Sequence, residues 1–542
     1  MKKSIFVILA LLMAVGFAFG GGNRSQSTST WAEVEFPGGW KPTTSYNNHL
    51  TITLANVGTI EGYDYAGGDD YARWWGNAFN TRIEVTSMTY DNWGELMRIW
   101  VSSGDMPDVA IFNYIPQTHA DAATWVEQGL IKKLPDNWKT RWSNLAAVFG
   151  KTSLGPQMEQ TFGGTYFLPR TRFDVNIPHI PLPDHCSFVF RKDWAQAVGF
   201  PVKDVYKTSE IIEYGKLIKE RDPGNIGARL LPISSNPNWS MRLFMLSNFQ
   251  HFTTFYKDRN GVYQWGPAAE ETLAGLKLFY QAYASGALNP EFYTVRDQED
   301  YDQFRVSGIS GGFFGEATTY HIWAARRSFG ENIGPNADER VGVATVVGED
   351  GYYHLEDLIN YWGAHMFNPD ISNEKLERWL DWLDFSGFDA GFRQQNFGFE
   401  GVDWRYGNNR EVISLLPDGV LLTGSTGKYP SLMAISGSKQ GDDLSFENPN
   451  TPKIHRDDSF RLYADRSRLS TPQTLTETDW ALYTYDSPAM RRAATIEFRM
   501  EYANLVTRAT SEAHLETLWR QWVSSQMSLI QPALNELRAN LR

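Results

Sequence analysis

The sequence predicts an α/β protein, with mainly parallel sheets flanked by helices and divided into more than one unit. Three observations predict it. The chain has 542 residues, and a single domain usually holds ~100–200. Apolar or alternating runs of strand length recur along it, separated by stretches of helical periodicity. The interval between consecutive strands holds a helix, which is the spacing of βαβ units and hence of parallel pairing.

Residues 1–20 read as a secretory signal peptide. Lys2 and Lys3 form a charged start, Ile5 to Phe19 carry no charge, and Ala18 and Gly20 are small residues at the spacing that signal peptidase reads. The apolar run is shorter than the ~20 residues a spanning helix needs. Gly21 to Thr30 is a Gly, Ser and Thr tether, and residues 31–48, with Pro37 and Pro42, read as an irregular arm. Regular structure begins with the alternating Leu50 to Leu54. Ile83 to Met88 is a second strand. Asn92 then caps a helix, with Glu95 as its capping-box partner. Trp93, Leu96, Met97, Trp100 and Val101 share one face of that helix, Gly104 stops it, and Asp108 to Phe112 is the next strand.

The pattern recurs. Ser187 to Phe190 reads as a strand, and Thr208 opens a helix carrying Ile211, Ile212 and Leu217. Leu273, Leu276, Tyr280 and Tyr283 mark a helix that Gly286 ends. Val341 to Val347 is a buried strand, and Glu374 to Phe385 a helix whose Trp379 and Trp382 face a core. The polar run from Ser436 to Lys453 reads as an exposed loop, and Met490 to Leu541 as mostly helical.

Composition narrows the function. The net charge of −13 offers no basic footprint for nucleic acid, and no polybasic cluster attracts an anionic membrane. Cys186 is the one cysteine, so no internal disulfide forms and stability rests on packed cores. Aromatics make up 14% of the chain, with 20 Trp and 25 Tyr, and many lie in polar, Gly-rich segments off helical spacing. Flat rings with a polar handle suit ligands that have both apolar faces and hydroxyls, which describes sugars.

Catalytic patterns are weak. Gly308-Ile309-Ser310-Gly311-Gly312 matches G-x-S-x-G, but the following Phe313-Phe314-Gly315 reads as a strand where a nucleophile elbow needs a helix. Glu400 and Asp403 form one of many carboxylate pairs that 63 acidic residues supply, without the separation a glycosidase needs. The ten histidines are scattered; His179 and His185 are the closest to a metal pair, and no metal or cofactor is expected.

Six segments in order resemble bacterial extracellular solute-binding proteins of family 1, in their long lipoprotein-type branch. They are Ser103 to Val109, Trp125 to Ile131 with Leu134-Pro135, Phe190 to Trp194 running to Pro201, Lys219 to Pro223, Ala284 to Phe292, and Phe399 to Trp404. The resemblance implies a two-lobed periplasmic-binding-protein fold of type II. The ligand cleft then lies between the lobes, which close around a solute by hinge motion. It implies an N-terminal lobe from 49–167 and 300–365, and a C-terminal lobe from 168–299 and 366–542. Two departures stand out. The lipidated cysteine usual after the signal peptide is replaced by Gly20-Gly21-Gly22, which points to a periplasmic or secreted protein. The loop that is often acidic and calcium-binding reads Asp222 to Arg229, with too few carboxylates for that ion.

Ligand contacts are expected from aromatic and polar residues in loops that face the cleft. These are Trp239 in a polar turn, Glu316 and Tyr320 after a Gly-rich segment, and Tyr361 and Trp362 beside a lobe crossing. Asp403 and Trp404 in the last motif follow, with Trp75 of the Trp74-Trp75 pair, one ring of which would be core and the other cleft. The expected function is capture of a carbohydrate, an oligosaccharide by preference, by a monomer that delivers it to the permease subunits of an ABC importer. A binding protein for a peptide or other polar solute, a sensor that presents its ligand to a receptor, and an exported carbohydrate-active enzyme are the alternatives.

Overall fold

A computed structural model describes residues 34–115, 118–152, 154–172, 186–355, 361–417, 420–439, 450–474 and 478–541. The signal peptide, the Gly-rich tether, His179 and His185 lie outside these residues, as does most of the expected 436–453 loop.

The first four strands are β1 (Leu50–Val57), β2 (Thr81–Met88), β3 (Val109–Phe112) and β4 (Leu168–Thr171). They are followed by β5 (Cys186–Arg191), β6 (Val205–Lys207), β7 (Phe255–Lys257), β8 (Tyr263–Trp265), β9 (Gly312–Glu316), β10 (Val341–Val347) and β11 (Tyr361–Phe367). Two main sheets form, ordered β2-β1-β3-β11-β4 and β6-β10-β5-β9. β1 runs parallel to β2, from Leu50 opposite Thr81 to Val57 opposite Met88, and parallel to β3. β6 runs parallel to β10. The strands that complete both sheets, β11, β4, β5 and β9, pair antiparallel.

The first sheet is covered on both faces, because side chains alternate along β1. Ile52 and Leu54 pack with Trp75, Trp379 and Trp382, under the helices Asp70–Ala78 and Asn373–Gly387. Ala55 and Val57 pack with Trp93, Met97 and Val101 of the helix Trp93–Ser103. The expected capping box does not form. Asn92 Oδ1 accepts instead from the Thr89 backbone N–H at 2.9 Å, in the turn before the helix. The second sheet shares one core with the helices Thr208–Arg221, Glu270–Ser285, Thr319–Asn332, Lys453–Leu469, Phe498–Arg508 and Glu512–Asn540.

These cores redraw the expected lobes. Residues 366–435 pack with the first sheet and 312–347 with the second, where the sequence reading placed each in the other lobe. The reason is pairing at long range. β11 inserts between β3 and β4, and β9 zips against β5, which no local periodicity records. The arm also departs from expectation, since Phe36, Trp40 and Tyr46 are buried. It is drawn in by two buried carboxylates on the Trp-rich helix. Asp384 accepts from Trp40 Nε1 at 2.8 Å; Asp381 accepts from Thr43 Oγ1 at 2.7 Å, Tyr46 Oη at 2.8 Å and Trp142 Nε1 at 2.7 Å. Buried carboxylates need such donors, and the arm supplies them.

The chain changes lobe between β4 and β5, between β10 and β11, and between Lys439 and the helix Lys453–Leu469. Near the C-terminus a short strap, the helix Trp480–Tyr483, leaves the second lobe to pack Trp480 and Tyr483 on the first lobe's core.

Candidate functional site

Open α/β sheets bind ligands beyond the carboxyl ends of their strands. In the first lobe β1 ends at Val57 and β2 at Met88, and the turns that follow carry Gly58, Tyr90 and Asp91. Gly58 has φ +70°, and a Cβ there would lie 3.2 Å from the Tyr90 hydroxyl, so the glycine leaves room for that ring. In the second lobe β9 ends at Glu316. Thr318 caps the next helix by accepting from the His321 N–H, and this sets Tyr320 in its first turn.

These two sets of residues face each other. Tyr90 is 53% exposed, yet its hydroxyl is pushed up to about 12, first by burial and then by the charges of Glu316 and Asp297, with Arg170 opposing. Tyr320 is 39% exposed, and its hydroxyl is likewise raised first by burial, with Arg305 and Arg327 opposing. The Asp297 carboxyl, also exposed, is raised by burial and then by Glu316 and Asp91. A ring that water reaches while protein surrounds its hydroxyl lies in a concave, wetted space. Tyr90 and Asp91 line it from the first lobe; Asp297, Glu316 and Tyr320 line it from the second.

Hydrogen bonds fix the second wall. The Glu316 carboxylate meets His321 Nε2 at 2.8 Å, and His321 Nδ1 lies 2.7 Å from Thr318 Oγ1. The Glu316 backbone N–H donates to the Tyr301 hydroxyl at 3.0 Å. Near the mouth, a Cβ on Gly424 of the first lobe would come within 3.3 Å of the Tyr320 hydroxyl. On the first-lobe side the Arg170 guanidinium lies 5.4 Å from the half-buried Trp362 ring, which packs on Trp93 at 5.3 Å. Gly363, with φ +65°, makes the bulge that turns Trp362 at the start of β11.

Of the residues chosen from sequence, Glu316 and Tyr320 therefore come together at this space, and Trp362 lies beside Arg170, whose charge reaches Tyr90. Trp239 is 8% exposed in the first turn of the helix Pro237–Met241. It stacks near Tyr301, and its indole N–H has no acceptor among the described residues. Four choices are corrected by their burial. Trp75 stacks on Phe79 among Trp379 and Trp382, while Trp74 packs on Phe385 and Phe399, so neither ring faces the cleft. The Tyr361 hydroxyl donates to the Tyr114 carbonyl at 2.7 Å and meets the Tyr483 hydroxyl. Asp403 is fully buried and holds Lys428, the Tyr429 hydroxyl at 2.9 Å and the Phe399 N–H at 2.7 Å. Trp404 donates to the Gly398 carbonyl at 2.9 Å. In Asp403 and Trp404 the polar handle that suggested a ligand instead ties a turn together.

Tyr90, Asp91, Asp297 and Arg170 were not found from sequence. For Tyr90 and Asp91 a signal exists: Thr89-Tyr90-Asp91 follows the Ile83–Met88 strand, where this sheet class presents ligands.

The catalytic patterns have other uses. Ser310 is buried, its hydroxyl donates to the Gly312 carbonyl at 2.8 Å, and a strand follows it. Asp222 spends both carboxylate oxygens on the N–H groups of Ile226 (2.9 Å) and Gly227 (2.7 Å). Among the described residues no group of three His, Cys, Asp or Glu could hold a metal ion, and no helix is long and apolar enough to cross a membrane.

No family model and no curated protein matches the chain. Solved structures do. The alginate-binding protein AlgQ2 superposes with a TM-score of 0.65 at 16% identity, over 92% of this chain and 98% of its own. The Streptococcus pneumoniae ABC-transporter substrate-binding protein FusA, in complex with kestose, gives 0.61 at 15%, over 90% and 100%. The N-glycan transport solute-binding protein NgtS of the same species, in complex with Man5GlcNAc, gives 0.54 at 14%, over 91% and 99%. The chain thus has the two-lobed α/β fold of these proteins along nearly its whole length.

Proposed function

We propose that this chain is an exported solute-binding protein that holds a carbohydrate, an oligosaccharide by preference, between its lobes and hands it to an ABC importer. One observation carries the reading: Tyr90 and Tyr320 approach from opposite lobes, solvent-reached yet enclosed, beside the carboxylates of Asp297 and Glu316. Rings of this kind stack on the apolar face of a sugar, and carboxylates accept from its hydroxyls. The full-length likeness to saccharide-binding structures supports the same ligand class.

The mechanism follows from having one half of the site on each lobe. A ligand that touches only Tyr90 and Asp91 gains half the contacts; one that also touches Glu316 and Tyr320 gains both when the lobes approach. Ligand therefore favours the closed form by its differential affinity for it. The closed form is the one a permease would recognise, and no bond in the sugar needs to break.

The test is a thermal-shift screen against mono- and oligosaccharides, amino acids and peptides, followed by mass spectrometry of the recovered ligand. A saccharide that stabilises the protein and returns intact is the expected result. A cleaved saccharide would make the protein an enzyme, and stabilisation by peptides alone would overturn the carbohydrate assignment.

A further inference from the structure

A second concave site lies apart from the cleft and shares none of the residues described there. It is a cavity of about 930 Å³ between the β7–β8 hairpin and the segment 478–498 that contains the strap, with His119 of the first lobe at its edge. That is the size of a site for a drug-sized molecule.

Its floor is aromatic. The rings of His251 and Tyr256 stack at 4.5 Å and 9°, with Phe249 edge-on to both at 5.5 Å. Across the cavity stand the half-buried Tyr485 and Phe498. His251 titrates at about 4, first because it is buried and then because His354 is near, so the stacked pair is neutral at physiological pH.

Its charge is negative. Asp479 pairs with Lys257 at 3.5 Å and Asp486 with Arg491 at 2.5 Å, which leaves Asp258, Glu271 and Asp350 against the single remaining cation Arg259 among the lining residues. Asp350 contacts His354, a histidine that burial holds below its ordinary range and so leaves uncharged at neutral pH. Asp258 is held by the Asn260 and Val262 N–H groups and by Gln264. Glu271, in the first turn of its helix, is exposed and lies near enough to Tyr256 to raise its hydroxyl, as Asp258 does. An aromatic ring flanked by two carboxylates is the arrangement that receives an organic cation, through the ring face and through Coulomb attraction.

We propose that this cavity is a binding site for an organic amine with an apolar body, the ring or chain lying on Tyr256 and Phe498 and the ammonium group turned to Glu271. The probe is phenethylammonium, with 2-phenylethanol as its uncharged isostere, each titrated calorimetrically into the purified protein at neutral pH. The amine is expected to bind about fivefold more tightly than the alcohol. Glu271→Gln should remove that preference while leaving alcohol binding and the melting temperature unchanged, since Glu271 is exposed. Tyr256→Ala should weaken both ligands. Equal affinity for amine and alcohol, no binding of either, or an amine preference that survives Glu271→Gln would overturn the proposal. None of these outcomes depends on whether a saccharide occupies the cleft.

Discussion

Asp300 gives a prediction whose size follows from the structure. Its side chain is fully buried in the helix that follows Asp297. One carboxylate oxygen accepts from Asn236 Nδ2 at 3.3 Å, and the other has no partner among the described residues. The carboxyl is raised from 3.8 to about 7, first by burial and then by the charge of Asp297, with backbone N–H groups and Asn236 opposing. Between these two values the folded state holds a proton that the unfolded chain has released. This contribution to stability is therefore fully present below the unfolded value and is lost as pH rises to about 7. About three units at ~1.4 kcal/mol each make the full effect about 4 kcal/mol, of which about 3 kcal/mol falls between about pH 5 and about pH 8. The buried histidines slope the other way, since His251, His365 and His455 are all held below their ordinary range. Wild type alone therefore does not isolate Asp300. Asp300→Asn does, because the amide keeps an acceptor for Asn236 and cannot ionise. Urea unfolding of both proteins at the two pH values should show Asp300→Asn gaining about 3 kcal/mol on wild type as pH rises. A gain that is the same at both values would refute the reasoning, for it would mean that the site admits water or a counter-charge and that the carboxyl titrates normally.

Three further predictions test the cleft and the frame that holds it. Tyr90→Ala and Tyr320→Ala should each weaken saccharide binding about five- to tenfold in calorimetry with little change in unfolding free energy, because each removes one partly exposed ring; unchanged affinity in both would move the site elsewhere. Asp381→Ala should cost about 4 kcal/mol in urea unfolding, because it strands the Trp142, Tyr46 and Thr43 donors in the core, whereas Asp381→Asn should cost less. Gly58→Ala should lower stability by about 1 kcal/mol and also weaken ligand binding, since φ is +70° and the new methyl would press on the Tyr90 hydroxyl.

The βαβ half of the first sheet was legible because it is local. The Leu50, Ile83 and Val109 strands and the Trp93 helix each show their periodicity within about ten residues, and β2 and β3 both pair in parallel with β1. The same holds for Val341–Val347, whose seven residues are all buried. What the sequence hid is long-range. The 312–347 and 366–435 segments pack in the other lobes from those read in sequence, because β9 and β11 are specified by what they pair with, some 120 to 250 residues away. The arm at 34–48 looked irregular, and it is; its order comes from Asp381 and Asp384, whose demand for donors is invisible until the helix that carries them is placed against it.

The site was legible for a different reason, and only in part. A polar-handled ring or a buried carboxylate in a Gly-rich turn has two physical uses, to meet a ligand or to close the turn. Asp403 and Trp404 serve the second use, bonding the Phe399 N–H and the Gly398 carbonyl of their own turn, while the Tyr361 hydroxyl is used inside the protein on the Tyr114 carbonyl. Glu316 and Tyr320 leave part of their surface to solvent because they stand at the end of β9, where the sheet stops and the lobe faces its neighbour. The discriminating quantity is thus position relative to a strand's carboxyl end, which a sequence supplies wherever a strand is recognised. By that criterion Tyr90 and Asp91, directly after β2, were the stronger choices, and Trp75, in the second turn of a helix that begins a dozen residues after β1, was the weaker one.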